Sequence, residues 1–246
     1  MSKVLEYEPL PNMSTIVGAL RGVFQGAEQE DWSAPTLQGI FGHAFNFNMK
    51  RGAGEVWQED YLDYHGGFFE TLPEIPQFRI LSARQARKDG DFTSLKTEAW
   101  DAVRESIDRR IPAIAWQPMS CEQKAAGVRA GAWGLLVGYD GADETYAVRH
   151  QYHKGGQEAF TVRYDAIGHS DPSEWFCVLV YEGPADVDLG HIHIRALRNA
   201  IAFSEGTRSE SADYREVSGR GLAAYELWLD AFETEDVSAE QSKIHA

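Results

Sequence analysis

The chain has 246 residues, 38 acidic against 23 basic side chains, a net charge of −15, and 43% hydrophobic and 12% aromatic residues. That balance argues against non-specific nucleic-acid binding, which needs clustered Lys and Arg, and its simplest role is solubility. No apolar run approaches the roughly 20 residues that span a bilayer, and the opening Met1-Ser-Lys-Val-Leu-Glu-Tyr-Glu lacks the apolar core of a signal peptide.

Residues 1 to 11 hold two prolines and read as extended. Asn12 is a suitable helix N-cap, and Met13, Ile16, Ala19, Leu20, Val23 and Phe24 then recur at helical spacing until Gly26. A second short helix starts at Ser33 or Pro35 and carries Leu37, Ile40 and Phe41. Phe45, Phe47 and Met49 alternate with Asn46 and Asn48, a half-buried strand pattern. Residues 55 to 82 are rich in aromatics; they read as a helix over about 58 to 69 and a short strand near Phe78 to Leu81. Residues 82 to 92 read as a polar loop. Ser94 then caps a helix with the apolar stripe Leu95, Ala99, Trp100, Val103 and Ile107.

From Ile111 the pattern turns to strands: 112 to 117, 132 to 140, 145 to 149, 159 to 162 and 175 to 181. The run Ala132-Trp-Gly-Leu-Leu-Val-Gly-Tyr-Asp-Gly141 is the centrepiece, because Asp-Gly after a strand is a strong hairpin signal. Its internal glycines mark a bulge or a close approach by another group. Beyond Gly183-Pro184, Asp188 caps a helix bearing Leu189, Ile192, Ala196, Leu197, Ala200 and Ile201. A last helix covers about 219 to 233. Helices, then a largely antiparallel sheet, then two helices is the order of an α+β protein.

Several segments together resemble the papain-like cysteine-peptidase fold, in particular bacteriocin-processing peptidase-like domains and the N-terminal domain of the butirosin-biosynthesis acyltransferase. They are the helix after Pro11-Asn-Met-Ser14, Gly42-His-Ala-Phe-Asn-Phe47, Ile111-Pro-Ala-Ile-Ala-Trp116, Trp133 to Asp140, and the Gly221 to Trp228 helix. The resemblance implies a papain-like domain over 1–183, a C-terminal helical extension over 184–246, and a bacterial, cytoplasmic setting. It also implies a nucleophilic cysteine at the start of the first helix, where helix-end donors and a histidine lower a thiol pKa. The histidine would open the 132–140 strand. This chain departs at both places: the first falls on or near Met13, the second on or near Ala132 or Trp133. Cys177 lies in an apolar strand and Cys121 in a polar loop without an adjacent base, so neither replaces the missing thiol. Two cysteines this far apart fit a reducing compartment and no metal spacing.

The reading is therefore a pseudoenzyme, a binding or accessory module for a small molecule or peptide, in specialised-metabolite or peptide modification. Its ligand-binding candidates are Asn12, Met13, Trp116, Trp133 and Tyr139. The alternative is an acyltransferase or amide hydrolase with Ser14, His43 and His150 as a nonstandard site. Each has a plainer role: Ser14 as an ordinary helix-start residue, His43 and His150 as hydrogen-bonded structural histidines. His150-x-x-His153 could form half a metal site with His191-x-His193 as the other half, but i and i+2 on a helix point apart, so the latter pair is a poor chelate. No metal and no cofactor is expected. A third reading is an interaction subunit, with the C-terminal helices docking on a second copy.

Overall fold

The computed structural model describes residues 2–9, 14–29, 32–41, 44, 48–51, 56–58, 75–84, 92–128, 130–152, 159–169, 175–186, 188–205 and 219–233. Among these the protein is α+β, with six α-helices and a seven-stranded sheet whose pairings are all antiparallel. The expected helix over 58–69 falls outside them from residue 59 onward, and Val56–Gln58 is a strand instead. By spatial proximity the chain forms two compact units: Met1–Ala34 with Pro76–Ala185, and Pro35–Ile75 with Asp186–Ala246.

In the first unit, β1 is Ser2–Val4, β4 Pro76–Arg84, β5 Ala113–Trp116, β6 Trp133–Asp140, β7 Thr145–Arg149, β8 Phe160–Arg163 and β9 Trp175–Pro184. The strand order is β4-β9-β5-β6-β7-β8. β1 lies along the second half of β6, pairing Val4 with Gly138 and Ser2 with Asp140. β4 is longer than its apolar pattern predicts: Ser82–Arg84, read as loop, pair with Cys177–Trp175. β6 runs straight into its hairpin, where the Asp140 carboxylate accepts from the Ala142 amide at 2.8 Å. Those amide bonds hold the Asp140 carboxyl below its usual range.

Helix α1 (Thr15–Gly26) and helix α3 (Phe92–Asp108) cover opposite faces of this sheet. Side-chain alternation decides the faces. Phe176 points to α3, where it meets Phe92. Its neighbour Trp175 points the other way and joins Trp116 and Trp133. Leu135, two residues after Trp133, lies against Gly22 of α1, so close that a Cβ there would collide with it. α1 is fully buried along Ile16, Ala19, Leu20, Val23 and Phe24, as its periodicity predicts, and Val17 is buried as well.

α3 ends where Arg110 takes a left-handed φ of 69°. The Arg110 amide then bonds Ile107 O and the Ile111 amide bonds Ser106 O, satisfying the last carbonyls. α3 differs from the sequence reading: it starts at Phe92, so Ser94 lies within it rather than capping it; Lys96 is buried and Leu95 only half-buried, and Phe92, Ala102 and Ser106 are buried as well. A short α4 (Cys121–Ala125) lies between β5 and β6, where Cys121 reads as polar loop, and is held by a reciprocal capping box between Ser120 and Gln123.

The second unit contains α2 from Pro35 onward (α2 is Ala34–Ile40), β2 (Asn48–Arg51), β3 (Val56–Gln58), α5 (Leu189–Ser204), β10 (Gly219–Arg220) and α6 (Leu222–Glu233). Its strands form an antiparallel sheet in the order β10-β2-β3, with α6 packed on β10 and β2. The Asp188 carboxylate accepts from the His191 amide at 3.0 Å, the N-cap expected for α5. Gly219 and Arg220, expected as the start of the last helix, are strand because they pair with Met49 and Asn48.

Candidate functional site at the start of strand β6

Strand β6 begins beside the N-terminus of α1. The Trp133 amide donates to Thr15 Oγ1 at 3.2 Å, and both residues are buried. Ser14 is the helix N-cap, with extended backbone, and its hydroxyl makes no capping bond. Sequence spacing points to Asn12 for that place; Asn12 and Met13 lie outside the described residues.

Three tryptophans from three adjacent strands close the same end of the sheet. Trp116 and Trp133 are 5.3 Å apart between ring centroids, Trp116 and Trp175 5.2 Å, Trp133 and Trp175 5.5 Å. The Trp175 indole N–H is satisfied by Ser82 Oγ at 2.8 Å. Trp133 and Trp175 are buried, while Trp116 keeps a half-exposed edge. Of the ligand-binding candidates, the structure thus brings Trp116 and Trp133 together. Tyr139 belongs elsewhere: its ring meets Trp100 on α3, and its hydroxyl donates to Asp108 at 3.1 Å. Bonds from Lys3 and then Tyr139 hold the Asp108 carboxyl below its ordinary range.

The backbone at this end is strained. Gln117 has φ 40° and Ala132 φ 97°, left-handed values that side chains rarely adopt. The two residues are tied to each other, the Gln117 amide donating to Ala132 O at 2.7 Å. Such strain persists only where surrounding structure over-determines it, and it clusters at ligand clamps and active sites. Charge nearby comes from Arg149 at the end of β7, which bonds Glu8 at 2.9 Å.

His150 is buried against the opposite face. A Cβ added to Gly134 would stand 3.0 Å from His150 Cδ2, and Gly134 lies between two residues that point towards α1. The His150 Nδ1 accepts from the Tyr152 amide at 3.3 Å, and the two rings are 4.7 Å apart. His150 thereby lies on the other side of β6 from the start of α1. His43 and His153 lie outside the described residues. Among the described residues no group of three or more His, Cys, Asp or Glu is placed to hold a metal ion, and no helix is long and apolar enough to cross a membrane.

Two features went unread in the sequence. Lys96, buried within the α3 stripe, donates to Asp165 O and stands 2.9 Å from His169 Nε2. Burial lowers the Lys96 pKa, and the Asp165 carboxylate opposes that shift. Cys121 is exposed and bonds the His169 carbonyl at 3.0 Å. A lysine among apolar positions at helical spacing was the available signal for the first. The second is a cleft of ≈ 550 Å³ lined in part by Arg79, Glu105, Asp108, Arg109 and Glu182. Arg79 there is committed to Glu182 at 2.8 Å and Arg109 to Tyr181 O at 2.6 Å.

No family model, no curated protein and no solved structure matches this chain significantly.

Proposed function

We propose that this chain is a papain-like-fold protein without the thiol–imidazole pair, acting as a binding or accessory module for a small molecule or peptide. The observation that supports the reading is the meeting of α1 and β6. A papain-like enzyme needs a thiol on the helix start and an imidazole on the strand start. Here the helix start offers Ser14 and Thr15, and the strand start offers Ala132 and Trp133, joined by the 3.2 Å bond between Trp133 N and Thr15 Oγ1. Neither cysteine stands at the helix start or the strand start: Cys177 is buried in β9 and Cys121 opens α4. What remains at this end is aromatic surface on Trp116 and a rigid, strained backbone frame, which suits holding a ligand.

The test pairs binding with turnover. A fluorogenic peptide amide and an acyl thioester are titrated by calorimetry and incubated with the protein. The reading expects heat of binding that Trp116→Ala removes, with no amine or thiol released above the uncatalysed rate. Release that vanishes in Ser14→Ala would transfer the assignment to acyl transfer or amide hydrolysis.

A further inference from the structure

Seven of the nine exposed large hydrophobic residues among those described lie on α5 and α6. On α5, besides Leu189 at the first turn, the exposed set is Ile194 at 54%, Leu197 at 63% and Ile201 at 57%, on the side opposite buried Ile192. On α6 it is Leu222 at 63%, Tyr225 at 48% and Leu229 at 60%, turned away from buried Ala224. Both sets follow the same spacing, i, i+3, i+7. That spacing is a helix–helix seam, the pattern that lets one helix supercoil against another.

The two helices carry opposite charge. α5 holds Arg195, Arg198, His191 and His193 and no acidic residue, although the chain as a whole has a net charge of −15. α6 holds Glu226, Asp230 and Glu233 and no basic residue. Arg198 directly follows the middle seam residue of α5, and Glu226 directly follows that of α6. Both are exposed. In an antiparallel helix pair these flanking positions face each other, where opposite charges fix partner and orientation. Each seam is exposed within one chain, so neither covers the other, yet each finds its match in spacing and charge on the same sequence.

We infer that two copies of this chain associate through these helices, α5 of one copy lying antiparallel on α6 of the other. A two-fold axis makes the pairing twice and covers both seams at once. Sedimentation velocity on the full chain, run over a concentration series up to about 100 µM, tests it. The expected result is a concentration-dependent species of twice the 27.5 kDa chain mass. Leu197→Glu and Leu229→Glu each raise the dissociation constant by about tenfold or more, by placing a charge in the seam. Arg198→Glu and Glu226→Arg each weaken association, and the double exchange restores it. All four sites are exposed, so circular dichroism should report an unchanged fold. A wild type that stays monomeric throughout overturns the inference. So does a dimer indifferent to the leucine substitutions, or a charge exchange that fails to restore association.

Discussion

Strand β6 reads as one apolar run, yet its two halves belong to different environments. The first half, Trp133 to Leu135, faces α1, the tryptophan cluster and the strained Gln117–Ala132 frame. The second half, at Tyr139, faces α3, where Trp100, Tyr146 and Tyr164 fill the space. A regular strand would point Leu135 and Tyr139 to the same side. The switch is a bulge: Leu136 opposes Val148 and Gly138 opposes Ala147, leaving Val137 extra. Its carbonyl is satisfied by the Leu5 amide at 2.7 Å, so the N-terminal segment seals the irregularity. The comparison separates a half that packs on α3 from a half that opens on the left-handed Ala132 and the tryptophan cluster.

The largest test of that contrast is Trp133→Ala. It removes a fully buried ring and should lower stability by about 4 kcal/mol in urea unfolding. A loss below about 1 kcal/mol would mean that the tryptophan cluster is loosely packed. Next are the two glycines of β6. A Cβ on Gly138 would collide with the Lys3 carbonyl and stand 2.8 Å from Val4 Cα, so Gly138→Ala must displace the backbone of β1. It should cost about 2 kcal/mol. Gly134→Ala meets first a proline ring atom at 2.9 Å and His150 Cδ2 at 3.0 Å, and should cost less. The reverse ranking would contradict the role given to β1 as the seal on the second half.

Ala132→Gly probes strain directly. Glycine adopts φ 97° freely, so the variant should gain about 1 kcal/mol in the same measurement, less the entropy of a more flexible unfolded chain. A destabilised variant would remove strain from the account of the first half. The smallest effect concerns Lys96 on the α3 side. Its folded pKa lies below that of the unfolded chain, so the unfolded state binds more protons between the two values. Stability from this group therefore rises with pH across that window. Tyr146 has the opposite sign: burial raises its pKa, so its contribution falls only above about pH 10. Unfolding measured from neutral pH to about pH 10 should show a rising component that Lys96→Met abolishes.

The sequence made the helices and strands of the first unit legible because their signals are local. Apolar spacing marks α1 and α3, and Asp140-Gly141 marks the β6–β7 turn. The site was legible only as far as Trp116 and Trp133, whose role in the same cluster depends on the β5–β6 register. What could not be read was non-local or conformational. Trp175 joins them from more than forty residues away through β9, and Thr15 reaches Trp133 across 118 positions. Ala132 and Gln117 take left-handed backbone with residue types that do not advertise it. Lys96 replaced Leu95 at the buried position because Asp165 and His169 supply polar partners there.

The placing of β9 also sets the order in which this sheet can be finished. It lies between β4 and β5, yet it is the last of the seven strands in the chain. During synthesis β4 and β5 emerge first, with their inner edges bare until residues 175 to 184 arrive. Exposed edges and distant pairings make folding slow and association with neighbouring chains easy. The arrival of residues 175 to 184, more than any earlier step, is what allows this sheet to close.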